Sequence, residues 1–180
     1  NYKSLILGQY LGQRHLGNAY LRQIPFSDLK AFETIFSKLP KRLHLQLANS
    51  STVRYAQLFE IPQQAEVFCN RGTSGIDGST ATAVGAALIN QNPSLLVTGD
   101  LSFFYDINGL WNDYIPSNFR IILINNQGGG IFRILPGEKD SPKYDTYFET
   151  VHGRNARQIS KAFGLKYKAV NSNIGLKWAL

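Results

Sequence analysis

The stretch Val97–Asn112 reads VTGDLSFFYDINGLWN and joins an apolar run, SLLVT, to an amphipathic segment. Gly99 allows a sharp turn, and Asp100 follows where the apolar run ends. A carboxylate beside a buried strand is costly unless a cation or hydrogen-bond donors meet it. The next amides, those of Leu101 and Ser102, open the following helix, and the start of a helix attracts anions. The stretch therefore predicts a strand, a turn and a helix, with a polar site at the turn.

The same alternation of apolar strands and amphipathic helices extends over most of the chain. Strands are predicted at residues 43–48, 67–70, 95–98, 119–124 and 166–170, and helices at 28–39, 52–60, 79–90, 103–113 and 156–163. Strands that are apolar on both faces and separated by helices predict an α/β fold, with a mostly parallel sheet and helices on both faces. In such folds ligands bind beyond the carboxyl ends of the strands.

Composition restricts the class of protein and its partners. The 180 residues are 43% hydrophobic and 17% charged, without a membrane-spanning run or a signal peptide, which is typical of a globular cytoplasmic protein. The single cysteine, Cys69, excludes an internal disulfide. The net charge of +7 comes from scattered basic residues, which favours small anionic ligands over nucleic acid. We expect residues 1–40 to lead in from a preceding domain and residues 41–180 to form one module, truncated at its C-terminal end.

A second polar stretch, NNQGGG at residues 125–130, follows the next predicted strand. Asp100 and Asn126 therefore lie at the ends of successive strands, at the same edge of a parallel sheet. With a nearby backbone carbonyl they offer the oxygen ligands that Mg²⁺ prefers when it bridges a carboxylate and phosphate groups. Alternatively, Asp100 caps a helix and the asparagines form a turn. The coincidence of both stretches at one edge favours a metal–diphosphate site.

Four blocks of sequence carry a resemblance to a known family. They are NSSTVR at 49–54, NRGTSGIDGSTATAVG at 70–85, GDLSFFYDINGL at 99–110 and NNQGGGIFRILP at 125–136. The spacing of Gly-Asp and Asn-Asn resembles the thiamine-diphosphate fingerprint, and the four blocks together resemble the 2-succinyl-5-enolpyruvyl-6-hydroxy-3-cyclohexene-1-carboxylate synthases of menaquinone biosynthesis. Leu101 stands where the wider superfamily usually has glycine, a departure that fits this branch. The resemblance implies the diphosphate-binding module of a thiamine enzyme.

The resemblance also implies roles for individual residues. Asp100, the Asn126 side chain and the Gly128 carbonyl would bind magnesium or manganese. The implied contacts to thiamine diphosphate are made by Ser74, Gly75, Ile76, Gly99, Asp100, Leu101, Ser102, Asn126, Gly128, Ile131 and Phe132. Within this set, Ile76 would support the bent cofactor from below. Substrate carboxylates would be bound by Ser50, Arg54 and Arg71, since arginine binds carboxylates through paired hydrogen bonds.

The implied reaction is a transfer in which 2-oxoglutarate loses carbon dioxide and its succinyl unit is added to isochorismate. In this superfamily an activating glutamate comes from another module, so we expect no catalytic residue in this chain and no turnover by the chain alone. The implied active site spans two subunits of a homodimer or tetramer. Two alternatives remain: a thiamine-diphosphate decarboxylase or carboligase of other 2-oxo acids, and a non-catalytic nucleotide-binding module. The arginine pair argues against the first, and the Asp100–Asn126 pair against the second.

Overall fold

The computed structural model describes residues 1–137 and 139–180. Four strands alternate with helices along the chain. The strands are β1 His44–Leu47, β2 Glu66–Cys69, β3 Ser94–Gly99 and β4 Phe119–Ile124. The helices are α1 Tyr2–Gln23, α2 Asp28–Phe36, α3 Ser51–Ala56, α4 Ser79–Ile89, α5 Asp100–Tyr105, α6 Gly130–Ile134, α7 Arg157–Ala162 and α8 Asn173–Ala179. Two shorter helical segments are a 3-10 helix at Ile107–Leu110 and a π-helical turn at Tyr144–Phe148.

The strands form one parallel sheet in the order β2-β1-β3-β4. Leu47 pairs with Cys69 on one side and with Val97 on the other, so β1 and β2 end level. β3 continues two residues beyond them, to Gly99, and ends level with β4. The chain moves outward from β1 to β2 and then crosses to β3 on the opposite side of β1. This reversal opens a crevice between the ends of β1 and β3, which is where open α/β sheets bind ligands.

Alternate side chains of β3 and β4 contribute to two separate cores, one on each face of the sheet. On one face, Leu45 and Val97 pack with Phe32 and Ile35 of α2 and Leu176 of α8. On the other face, the central strands pack against α4, α5 and α7, through residues that include Leu96, Ala83, Phe103 and Ile159. Burial of both faces explains the continuous apolar strand sequences, and it confirms the predicted α/β class with helices on both faces.

Helix α2 packs against the sheet, although it precedes residue 41, where the module was predicted to begin. Phe32 and Ile35 are each 1% exposed, and Thr34 donates a hydrogen bond of 2.6 Å to Asn173 of α8. Ser27 caps the helix by accepting a hydrogen bond from the Lys30 amide. The division at residue 40 stays a prediction, but the first core includes residues from both sides of it.

Two of the elements predicted from the sequence differ markedly from the structure, and helices α1, α6 and α8 were not predicted. Residues 166–170 were expected to form a strand and do not, because their backbone pairs with no strand of the described sheet; only Val170 packs against the first core. The helix expected at 103–113 begins earlier, at Asp100, and ends at Tyr105. It ends there because Asp106 leaves helical geometry and accepts a hydrogen bond of 2.9 Å from the Ala81 amide at the start of α4.

Helix α1 contributes no residue to either core. None of its residues is buried, although it carries exposed apolar side chains such as Leu5, Leu11 and Leu16. It is tied to the remainder by an ion pair of 2.6 Å between Arg14 and Glu60 and by a hydrogen bond from Lys30 to the Leu21 carbonyl. In the described part of the chain, neither α1 nor any other helix combines the length and apolarity needed to cross a bilayer.

Candidate functional site

A cavity lies at the carboxyl edge of the sheet, where β1, β3 and β4 end; we call it the strand-edge cavity. Ten of the residues predicted for the site line it. They are Ser50, Ile76, Gly99, Asp100, Leu101, Ser102, Asn126, Gly128, Ile131 and Phe132. The chain brings these residues together from four connections that follow four successive strands. The parallel topology therefore produces the convergence that the sequence pattern predicts.

Asp100 is the most enclosed charged group of the cavity, with 2% of its surface exposed. Its Oδ2 atom accepts hydrogen bonds from the backbone amides of Gln127 (2.7 Å) and Gly128 (3.1 Å). Its Oδ1 atom accepts one of 2.7 Å from the Leu101 amide. These donors compensate for the burial of the carboxylate and tie the end of β3 to the loop after β4. The loop that carries Asn126 is consequently anchored to Asp100, and both residues line the cavity.

Asn126 has one satisfied and one unsatisfied side-chain atom. Its Nδ2 atom donates a hydrogen bond of 2.7 Å to Oδ2 of Asp28, and its backbone carbonyl accepts one of 3.2 Å from Arg133. Its Oδ1 atom is buried and accepts no hydrogen bond. Buried polar atoms without a partner are uncommon, and each calls for an explanation such as a bound ion.

The glycines after Asn126 are required by close packing. A Cβ atom on Gly130 would lie 2.5 Å from Nδ2 of Asn126, so that side chain passes directly over the glycine. Gly128 has φ +156°, and a Cβ atom there would lie 2.8 Å from the Glu149 carbonyl oxygen. The same carbonyl accepts a hydrogen bond of 2.6 Å from the Gly129 amide. The loop therefore lies against residues 149–152 with its backbone close to the cavity.

Ile76 and Ser102 are joined across the cavity wall. The Ser102 hydroxyl donates a hydrogen bond of 2.5 Å to the Ile76 carbonyl, which fixes the loop between β2 and α4 to the start of α5. That loop is further held by Asn49, whose Nδ2 atom donates to the Gly75 and Asn70 carbonyls at 2.6 and 2.7 Å. The backbone around Ile76 is thus positioned by side chains from two other connections.

Four of the predicted residues do not line the cavity. Arg54 is exposed and donates a hydrogen bond of 2.8 Å to the Ser50 carbonyl. Arg71 is also exposed and donates a hydrogen bond of 3.0 Å to Oδ1 of Asn49. The Ser74 hydroxyl donates a hydrogen bond to the Arg71 carbonyl, and the Gly75 carbonyl accepts one from Asn49. All four are at the same edge of the sheet, and their roles stay predictions.

Several residues of the site were not found from the sequence, and three of them bear on its chemistry. Asp28 and Tyr55 line the cavity from α2 and α3. His152, which matches no metal-ligand spacing in the sequence, is placed with its Nε2 atom 3.4 Å from Oδ2 of Asp100. Its Nδ1 atom accepts a hydrogen bond from the Arg154 amide, so Nε2 carries the proton that faces Asp100. No local pattern marks these residues, because each reaches the site through tertiary packing.

Tyr55 has a perturbed acidity. Burial, followed by the nearby charge of Asp28, raises the pKa of the Tyr55 hydroxyl above its ordinary value. Both causes disfavour the phenolate, so the tyrosine stays neutral beside the cavity. Its ring also packs against Phe32, with the ring centres 5.2 Å apart. The wall formed by α2 and α3 therefore combines two aromatic rings with hydroxyl groups and the Asp28 carboxylate.

The donor set at the cavity fits a divalent metal ion. Within residues 1–137 and 139–180 there is no cluster of three or more His, Cys, Asp or Glu side chains suited to a metal, so an ion here needs amide or carbonyl oxygens. The Asp100 carboxylate, the unpartnered Oδ1 atom of Asn126 and the Gly128 carbonyl provide oxygens at one place. Oxygen donors with one carboxylate suit Mg²⁺ or Mn²⁺, which complete their coordination with phosphate and water.

Comparisons with known proteins agree with this chemistry. Residues 49–180 match the family model described as thiamine pyrophosphate enzyme, C-terminal TPP binding domain. A 2-succinyl-5-enolpyruvyl-6-hydroxy-3-cyclohexene-1-carboxylate synthase of Flavobacterium psychrophilum is 60% identical over 155 residues, which are 86% of this chain and 28% of that protein. The synthase of the same name from Christiangramia forsetii is 55% identical over 160 residues, 89% of this chain and 28% of that protein. The chain thus spans 28% of the length of these two relatives.

A solved structure shares the fold. The crystal structure of benzoylformate decarboxylase from Polynucleobacter necessarius superposes with a TM-score of 0.68 over 88% of this chain and 30% of that one. The two sequences are 22% identical over this region. This likeness supports the architecture, and the chemistry rests on the family match and on the cavity.

Proposed function

The chain belongs to the family of C-terminal TPP-binding domains of thiamine pyrophosphate enzymes, and we propose that it is this domain of a 2-succinyl-5-enolpyruvyl-6-hydroxy-3-cyclohexene-1-carboxylate synthase of menaquinone biosynthesis. The observation that carries the proposal is the pairing of the buried Asp100 carboxylate with the unpartnered Oδ1 atom of Asn126. Such a pair holds a divalent ion, and that ion anchors a diphosphate.

The residues that would hold the cofactor have distinct tasks. Asp100, Asn126 and the Gly128 carbonyl bind Mg²⁺ or Mn²⁺, and the close backbone of the glycine loop leaves room for the diphosphate. Ile76 supports the bent cofactor from the loop that Ser102 fixes, and Ile131 with Phe132 supplies an apolar wall. When bound, thiamine diphosphate supplies the electron-accepting centre for loss of carbon dioxide from a 2-oxo acid. The chain itself orients the cofactor and limits access of water.

The proposed substrates are 2-oxoglutarate and isochorismate, both of them carboxylates. Ser50 lies in the cavity with Arg54 one turn further along α3, and Arg71 is held beside them by Asn49. Two guanidinium groups at the same edge of the sheet as the cavity would suit anionic substrates better than neutral aldehydes. The net charge of +7 also favours the approach of anions.

The complete active site would include parts that this chain does not supply. We propose that a glutamate of another module activates the cofactor, that the intact protein is a cytoplasmic homodimer or tetramer, and that this chain alone does not turn over substrate. Support comes from large apolar side chains left at the surface, of which Trp111 is 81% and Trp178 82% exposed. Exposed apolar surface of this kind is typical of faces that other domains or subunits cover.

The test measures carbon dioxide release from 2-oxoglutarate by the intact protein that carries this domain. We expect release to require thiamine diphosphate, Mg²⁺ and isochorismate. Arg54→Ala and Arg71→Ala should raise the KM for one or both substrates, whereas Arg120→Ala, an exposed arginine at the opposite end of the sheet, should not. If the arginine variants keep the parent KM for both substrates, these arginines do not bind them; if the parent releases carbon dioxide from another 2-oxo acid but not from 2-oxoglutarate, a different 2-oxo acid is the substrate.

A further inference from the structure

We propose that Asp28 is a positioning residue, which fixes the orientation of the Asn126 amide so that its oxygen faces the metal position. The inference rests on the proposed metal–diphosphate site and adds to it a residue from a helix that lies before the matched domain. Asp28 and Asn126 are 98 residues apart in sequence, and their side chains are joined by a hydrogen bond of 2.7 Å. Both line the strand-edge cavity.

The chemistry of the pair determines which way the amide points. An ionised carboxylate has acceptors only, whereas an asparagine side chain has a donor nitrogen on one side and an acceptor oxygen on the other. Only the Nδ2 atom of Asn126 is therefore stable against Asp28. Rotation of the amide by half a turn would place two oxygens in contact. Oδ1 is consequently directed away from Asp28, and it is the atom that is buried without a partner.

Asp28 is itself held rigidly, so the orientation it imposes is well defined. It is the first residue of α2, next to the capping residue Ser27. One turn later Phe32 is 1% exposed, packs in the first core and lines the same cavity. The helix cannot shift without disturbing that core, because interiors are closely packed.

The remainder of Asn126 is fixed from a second direction. Arg133 donates a hydrogen bond of 3.2 Å to the Asn126 carbonyl and one of 2.6 Å, from Nε, to Glu149. The backbone and the side chain of Asn126 are thus held by different partners. Arg133 places the residue, and Asp28 selects which atom of its amide meets the cavity. Partners of this kind, one step removed from the metal, typically change metal affinity by about 10- to 100-fold.

A purely structural role for Asp28 predicts a different outcome from a positioning role. An acidic residue in the first turn of a helix is stabilising whatever lies beyond it. In that case Asp28→Asn would lower the unfolding temperature and leave metal affinity unchanged. In a positioning role the isosteric change leaves the fold intact but removes the preference for one amide orientation, since a second amide can donate to Oδ1 of Asn126 and occupy it.

The experiment titrates Mn²⁺ into the intact protein in the presence of saturating thiamine diphosphate, with the free ion measured by electron paramagnetic resonance. We expect Asp28→Asn to weaken Mn²⁺ binding by about 10- to 100-fold and Asp28→Glu, which keeps the carboxylate, to restore much of it. Glu33→Gln is the matched control, because it removes a negative charge from the same helix at a residue paired with Lys30. It should leave the Mn²⁺ affinity at the parent value.

Asp100→Ala separates this inference from the proposed function. If Asp100→Ala abolishes Mn²⁺ binding while Asp28→Asn binds as tightly as the parent, the metal site stands and the role of Asp28 is refuted. If Asp100→Ala also binds normally, the proposed site itself is wrong. Equal weakening by Asp28→Asn and Glu33→Gln would mean that general charge, rather than orientation of the amide, controls the affinity, and would overturn the inference.

Discussion

Gly130→Ala should disturb the metal position through a single added methyl group. The new Cβ atom would lie 2.5 Å from Nδ2 of Asn126 and 3.4 Å from its Cγ atom. The side chain must therefore move, and it gives up the hydrogen bond of 2.7 Å to Asp28. Loss of a hydrogen bond to a charged group is worth about 1.5–3 kcal/mol. That energy is lost from the folded state, and because the Asn126 amide is no longer held in one orientation we expect metal binding to weaken by about 10- to 100-fold.

The assay is calorimetric titration of Mg²⁺ into the intact protein with saturating thiamine diphosphate. Gly85→Ala is the control, since Gly85 is also a helical glycine but has nothing within 4 Å of its Cβ position. Alanine there should bind metal like the parent and gain up to about 1 kcal/mol of helix stability. Parent-like Mg²⁺ affinity in Gly130→Ala would refute the contact on which the estimate depends.

Two further predictions concern stability and acidity. Gly109→Ala should lower the free energy of unfolding by about 1–3 kcal/mol, because its Cβ atom would lie 2.6 Å from the Ala81 backbone nitrogen. Denaturant titration checks this, with Gly85→Ala as the control, and an unchanged unfolding midpoint in Gly109→Ala would contradict it. Burial is the main cause that raises the pKa of the Cys69 thiol, with Arg71 opposing it. The folded state therefore keeps the thiol proton at a pH where the unfolded thiol is ionised. The stability that the protonated Cys69 thiol contributes is complete below about pH 8.5 and is lost as the pH rises through the folded-state pKa. Alkylation at pH 8.5 should be slower for the folded protein than for the protein in denaturant, and equal rates would argue against the shift.

The fold was predictable because its elements follow local patterns. The strand at 119–124 was predicted with the bounds that the structure has, and β3 differs by one residue at each end. The prediction of a strand at 166–170 was wrong, because an extended segment joins a sheet only where a neighbouring strand can pair with it. The four sequence blocks identified the family, and the match of residues 49–180 to the thiamine pyrophosphate enzyme model confirms that resemblance.

The site was predictable only where its residues follow strands. Asp100 and Asn126 come directly after apolar runs, so topology alone places them at one edge of the sheet. Asp28 and His152 approach the same atoms from a helix before the sheet and from a loop after it. Their positions depend on how α2 packs and on how residues 149–152 contact the glycine loop, which a sequence pattern does not record.

The most direct test of the proposed metal–diphosphate site compares the intact parent protein with its Asp100→Ala variant. Thiamine diphosphate is titrated into each by calorimetry, with and without Mg²⁺. We predict tight binding by the parent that disappears when the metal is chelated, and no binding by Asp100→Ala at any Mg²⁺ concentration. Binding by Asp100→Ala with the parent's affinity and metal dependence would contradict it.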